Sequence, residues 1–251
     1  MKETRFIMGM PIEIEIVSES THNALEEAFK YLVEVDERFS TYKETSEISQ
    51  INRGELLLAS SSEEMKEVFA IAEKTRQETN GYFNICRPDG SIDPSGIVKG
   101  WAIKNAAALI RDNLGVSPLS GYFVNAGGDI ASNGKNAKGA TWHFGIQNPF
   151  NTKEIVKVVY PGGKGIATSG SYIRGDHIYN PHQPEEKLRD IVSITVIGPD
   201  VLEADRFATA AFAMGKGGIA FIEQLHGFEG YSVDSKGIAT MTSDFIAYTT
   251  A

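Results

Sequence analysis

The sequence predicts an α+β fold, and three observations lead there. Apolar residues alternate with charged ones in Ile12-Glu13-Ile14-Glu15-Ile16, the period of a half-exposed strand. They recur at three and four in Ala24, Leu25, Ala28, Phe29, Leu32 and Val35, the period of an amphipathic helix. Along the chain, strands come in groups and helices in groups, without the regular βαβ alternation of a doubly wound sheet.

In order, residues 5–17 read as a strand interrupted near its start by Gly9 and Pro11, as at a bulge or an edge. Residues 21–38 read as a helix that Thr21 or Asn23 could cap. Ser46 could cap a short helix ending at Asn52, with Gly54 as its stop. Residues 62–79 carry Met65, Val68, Phe69, Ile71 and Ala72 on one side and read as a helix ended by Asn80-Gly81. Tyr82 to Ile85 is a candidate short strand, Asp93 to Gly96 a turn, and residues 97–114 a helix stopped by Gly115. Strands are expected at 122–125, 142–146, 155–160 and 191–198, the last being the most strongly apolar. Two helices, around 202–213 and 217–226, precede a hairpin made of 230–233 and 237–241. With no internal repeat or Pro-rich linker, residues 1–251 are expected to form a single domain.

The chain has 251 residues, and its formal net charge of −9 argues against a general nucleic-acid binder, which needs a basic surface. The single cysteine, Cys86, excludes an internal disulfide and a Cys-based zinc site. Residues 1–6 carry neither an apolar signal core nor a lipobox-type cysteine, and no apolar run reaches membrane-spanning length. A soluble, cytoplasmic protein without membrane insertion is the expectation.

Several stretches invite chemistry. Asp205 and Thr209 are four apart, so a helix places both oxygens on one face. A carboxylate beside a hydroxyl suits a hard cation, although the same pair fits a solvated helix face. Asn125-Ala126-Gly127-Gly128-Asp129 follows a strand but lacks dinucleotide-binding spacing, and Pro161 to Gly165 lacks that of a P-loop; tight turns are the simpler reading of both. Ser169 lies between Thr168 and Gly170, without the first glycine of a nucleophile elbow; a hydroxyl-rich loop facing a phosphate or carbonyl fits better. Lys99 stands near a helix start, where a cation opposes the helix dipole, so a role toward a ligand phosphate is worth carrying beside that of a solvated lysine. His177 precedes an Ile-Tyr-Asn-Pro turn, and none of the five histidines has zinc-site spacing.

Taken together, these stretches resemble the ApbE family, FAD:protein FMN transferases. The pieces that carry the resemblance run in family order. They are Met8-Gly9, Phe39 to Tyr42 with Ser46-Glu47-Ile48 and Asn52, and Gly81 to Asn84. Asp93 to Gly100, Asn125 to Asp129, Ile166 to Ser171, His177 to Pro181 and Ser193 to Thr209 complete the series.

The resemblance implies an α+β fold related to the tunnelling (T-fold) architecture, with mixed or antiparallel sheets and packed helices. It implies Mg²⁺-dependent transfer of FMN from FAD to a threonine or serine hydroxyl of an acceptor flavoprotein, with release of AMP. By the same resemblance, Mg²⁺ would be held by Asp205, Thr209 and the carbonyl of Gly96. FAD would be contacted by Met8, Tyr42, Tyr82, Phe83, Asn84, Asp93, Lys99 and Tyr179, and His177 would deprotonate the acceptor hydroxyl. An FAD pyrophosphatase using water as acceptor is the alternative within this chemistry, and a non-catalytic flavin-binding protein the alternative outside it.

The chain departs from the family pattern in places. Asn84 stands where an Asp is common, and Asp93-Pro94-Ser95 replaces Asp-Leu-Gly or Asp-Leu-Ser. The segment between Asn84 and Asp93 is short where many relatives carry an apolar insertion, and Tyr179-Asn180 replaces an aliphatic residue and Asp. Lys138-Gly139-Ala140-Thr141 loosely matches an acceptor motif and reads as a lead into a strand.

Overall fold

A computed structural model describes residues 1–18, 22–114, 120–171 and 178–249. Its centre is an eight-stranded sheet in which every neighbouring pair is antiparallel. The strands are β1 (Lys2–Ile7), β2 (Met10–Val17), β3 (Gly121–Ala126), β4 (Asp129–Gly134), β7 (Gly165–Gly170), β8 (Ile191–Gly198), β9 (Glu229–Asp234) and β10 (Ala239–Met241), in that spatial order. A separate hairpin, β5 (Phe144–Asn148) with β6 (Asn151–Val159), makes a second, two-stranded sheet. The helices are α1 (His22–Phe39), α2 (Glu47–Asn52), α3 (Glu63–Glu78), α4 (Ser95–Leu114), α5 (Val201–Ala213) and α6 (Gly218–Glu223).

Alternation along the strands sorts the core into layers. Ile12, Ile14 and Ile16 of β2 are fully buried with Leu25, Phe29 and Leu32 of α1 and Ile97, Ile103 and Ile110 of α4. Ala167, Ile194 and Val196 pack with Phe207, Ala211 and Phe212 of α5 in a second cluster. Their strand neighbours Ile166 and Ile197 belong to a third, with Ile146 and Val159 of the β5–β6 hairpin and with Phe245. Helix α4 is buried on most of its circumference, including Lys99 and Gly100, because α1 and α5 pack on it.

Several expectations are corrected. Residues 5–17 form a hairpin, not one strand: Met8 (φ 56°) and Gly9 (φ 72°) make a two-residue turn. The positive φ at a methionine is what pattern reading does not anticipate. Strand β4, whose Asp-Ile-Ala-Ser-Asn-Gly sequence has little strand character, is set by its pairing with β3 across the Gly127-Gly128 turn. Tyr82 to Ile85 is not a strand; just after it Cys86 bridges to Ile92, and the Arg87 N–H donates to Ser91 O at 2.8 Å. Arg87-Pro88-Asp89-Gly90 is thus the tip of a miniature hairpin, with Pro and Gly in the positions a tight turn favours. The final helix is shorter than expected, Gly218–Glu223 after a 3₁₀ turn at Gly215–Gly217, and the chain beyond it turns at Gly227 (φ 84°).

The sheet is narrowest in its middle. Strands β4 and β7 share one residue pair, Ile130 with Ile166, whereas β3–β4 and β7–β8 each share six. The ladder bond missing at Thr168 is supplied by a side chain: its N–H donates to Asp129 Oδ1 at 3.0 Å. The candidate site is built beside this seam.

Candidate active site

A cavity of about 660 Å³ opens beside the seam, in the size range of small-molecule and cofactor sites. One wall is the β5–β6 hairpin, through Phe144, Ile146 and Ile155. Another comprises the β1–β2 and β3–β4 turns, through Met10, Gly127 and Gly128. Tyr82, Phe83, Asn84 and Arg87 come from the connection between α3 and α4, and Ile178, Tyr179 and Pro181 close a further side. Ser95, Gly96 and Lys99 of α4 and Asp205 and Thr209 of α5 form the end where the two helices meet.

Local sequence explains that meeting. Asp200 caps α5 by accepting from the Glu203 N–H at 3.0 Å, which starts the helix so that Asp205 turns inward. On α4, Gly100 lets the helices approach: a Cβ there would lie 2.9 Å from Leu202 Cα and 2.9 Å from Asp205 Cβ. The Gly100 N–H donates to Asp205 Oδ2 at 2.9 Å. A regular α-helix directs that N–H at the carbonyl four residues back, which is Gly96, so the carboxylate shares a donor that Gly96 would otherwise hold alone. Gly96 also abuts Thr209, whose Cγ2 would be 3.6 Å from a Cβ at 96. The Thr209 hydroxyl lies 3.4 Å from the Ser169 hydroxyl on β7.

Charge is concentrated at this end. Lys99 Nζ lies 2.5 Å from Asp129 Oδ2 and 3.6 Å from Asp205 Oδ1, with all three side chains at most 8% exposed. Lys99 is the cation that faces the buried Asp129 Oδ2, so the pair is charge-assisted. The three groups by themselves sum to one negative charge. The donor set of carboxylate, hydroxyl and carbonyl is all oxygen, the set a hard divalent cation takes. Among the described residues, no cluster of three or more His, Cys, Asp or Glu side chains offers a different metal site.

The mouth is tied by polar contacts between segments distant in sequence. Tyr179 donates its hydroxyl to the Cys86 carbonyl at 3.2 Å, and burial pushes its phenol above the usual range, so it stays a donor. Tyr82 stacks edge-on with His182 at 4.6 Å between ring centroids, and a ring nitrogen of His182 lies 2.9 Å from Asn80 O. Asn84 Oδ1 accepts from the Cys86 N–H at 2.9 Å, and Arg87 pairs with Asp93.

The structure therefore gathers Tyr82, Phe83, Asn84, Asp93, Gly96, Lys99, Tyr179, Asp205 and Thr209 around one cavity. It separates two others. Met8 lies in the β1–β2 turn, where its neighbours Gly9 and Met10 line the cavity and it does not. Tyr42 is 96% exposed and outside the lining. His177 falls outside the described residues. Sequence alone assigns no site role to Arg87, or to Asp129 beyond its place in the Asn125–Asp129 turn. The signal for Asp129 was its place after Gly127-Gly128, where a two-residue turn returns the chain into the sheet interior.

The ApbE family model matches residues 8–88 and 86–232. The two matches meet at the miniature hairpin, where the chain is short. A Salmonella typhimurium protein named FAD:protein FMN transferase is 33% identical over 137 residues, covering 51% of this chain and 38% of its own length. An Escherichia coli K12 protein of the same name is 31% identical over 159 residues, covering 60% of this chain and 44% of its own. These matches thus span less than half of the curated relatives. The crystal structure of an ApbE protein from Thermotoga maritima superposes with a TM-score of 0.87 at 20% identity, over 100% of this chain and 99% of that one. The flavin transferase ApbE from Vibrio cholerae gives 0.82 at 22%, over 99% and 98%. At these identities the structural likeness speaks for the fold, and the family model, matched across most of the sequence, shows that the chain belongs to the ApbE family.

Proposed function

We propose that the protein transfers FMN from FAD to a threonine or serine hydroxyl of an acceptor protein, with Mg²⁺ at the α4–α5 crossing. The observation that carries this is the meeting of Gly96, Lys99, Asp205 and Thr209 at one end of a cavity with aromatic residues in its wall. The names of the curated relatives support the same reading.

Asp205, Thr209 and the Gly96 carbonyl would hold the ion, which when bound supplies charge neutralisation to the pyrophosphate oxygens. Lys99 presents its ammonium to the same oxygens from the α4 side, and Asp205 is held in place by the Gly100 N–H. Tyr82 and Phe83 offer ring faces and edges to the flavin or adenine, and Tyr179 a hydroxyl. The acceptor oxygen forms a bond to the FMN phosphorus as the bond to the bridging oxygen breaks, and AMP departs with that oxygen. The hydroxyl proton passes to a base, the role the family resemblance gives to His177. Such a transfer depends mainly on positioning and charge stabilisation, which is what this cavity end provides.

The test incubates the protein with FAD, Mg²⁺ and a candidate acceptor and weighs the acceptor by mass spectrometry. The expected result is an acceptor heavier by one FMN, with AMP formed in equal amount. Free FMN released at the same rate with and without acceptor would favour the pyrophosphatase. FAD binding without AMP formation would leave a flavin-binding protein.

A further inference from the structure

We propose that Asp129 is a positioning residue: it holds the Lys99 ammonium away from Asp205 and so keeps Asp205 available to a divalent cation. This rests on the metal assignment above. Lys99 lies between two buried carboxylates, 2.5 Å from Asp129 and 3.6 Å from Asp205. An ammonium and a metal ion compete for the same carboxylate oxygen, since both are attracted by its charge. Which carboxylate holds the ammonium therefore sets how much of Asp205 is left for the ion.

Asp129 is built to win that competition. It is fully buried and does not line the cavity, whereas Lys99, Asp205 and Thr209 do. Its other oxygen accepts from the Thr168 N–H at 3.0 Å, where the sheet halves share one residue pair. The turn before it is closed by the Gly128 N–H donating to Asn125 Oδ1 at 3.0 Å. The carboxylate is thus anchored by the backbone of Thr168, itself in the cavity wall, and meets the charged end of the site through Lys99. Removing its charge leaves Asp205 as the anion beside Lys99, and at this burial their attraction is screened little by water.

The experiment titrates Mg²⁺ alone, followed by thermal stabilisation, and Mn²⁺ alone, followed by loss of the free-ion electron paramagnetic resonance signal. Asp129→Asn keeps the side-chain shape and an oxygen for the Thr168 N–H. It is expected to bind both ions roughly tenfold more weakly or worse, as Lys99 shifts toward Asp205. The double variant Asp129→Asn with Lys99→Met is expected to recover affinity to within about threefold of the unaltered protein, because the competing cation is gone. Metal-free melting temperatures identify any variant that fails to fold. Unchanged affinity in Asp129→Asn overturns the proposal, and so does weakening that the double variant fails to rescue. An unaltered protein that takes up neither ion removes the metal assignment itself, and the proposal with it.

Discussion

Gly100 and Asp205 are in direct contact: the Gly100 N–H lies 2.9 Å from Asp205 Oδ2, and a Cβ on residue 100 would lie 2.9 Å from Asp205 Cβ. The same added atom would meet Leu202 Cα and the Val201 carbonyl, which are backbone and cannot rotate away. Gly100→Ala must therefore push α5 from α4. The expected cost is about 1–3 kcal/mol in urea denaturation, the usual range for overpacking. Because the displaced helix carries Asp205 and Thr209, Mg²⁺-dependent stabilisation should fall with it. A variant as stable as the unaltered protein would mean that the helices are not held this closely.

The proposed mechanism gives Asp205 two separable roles, one structural and one toward the ion. Asp205→Asn retains an oxygen to accept from Gly100, so the metal-free protein should fold with a similar melting temperature. The lost charge should abolish Mg²⁺-dependent stabilisation and slow AMP formation from FAD by about 10²-fold or more, the scale set by a few kcal/mol of charge stabilisation. Turnover of FAD at the original rate would remove the metal from Asp205.

Much of this arrangement was legible in the sequence, and the exceptions share a physical origin. Asp205 and Thr209 could be placed on one face because helical period is local. The period-two run around Ile14 gave its strand for the same reason. Backbone conformation at Met8 and the pairing that makes Asp129-Ile130-Ala131 a strand are set by partners distant in the chain, so they left no local pattern. The pairing of Asp129 with Lys99 joins positions thirty apart through a turn and a helix. No spacing rule on one element could reveal it. The family resemblance supplied site residues that periodicity alone left as open alternatives.

Arg206 follows Asp205 but faces α3. It is 3% exposed, pairs with Glu78 and with Glu203, donates to the Thr75 hydroxyl at 3.2 Å and lies over the Phe207 ring. It thus clamps α5 to the C-terminal end of α3, from which the segment carrying Tyr82 and Phe83 emerges. Arg206→Met removes the cation and leaves two carboxylates that are partly solvated. The expected destabilisation is about 2–3 kcal/mol, below the range for a wholly buried pair. Arg206→Lys should recover only part of it, since one ammonium cannot reach all three partners at once. Equilibrium denaturation of both variants checks the order.

Tyr42 and Tyr82 separate what family resemblance implies from what the cavity wall contains. Tyr42 is 96% exposed and outside the lining; Tyr82 lines the cavity and stacks on His182. Tyr42→Ala removes almost no buried surface and should leave stability within about 0.5 kcal/mol. Its FAD dissociation constant should rise by less than about threefold, a fraction of a kcal/mol. Tyr82→Ala removes a wall of the cavity together with an aromatic pair worth about 0.5–1.5 kcal/mol, and should weaken FAD by about tenfold. Fluorescence quenching of FAD measures both. If Tyr42→Ala proves the more damaging at unchanged stability, the loop carrying it must fold over bound FAD, and the cavity wall alone does not define the flavin site.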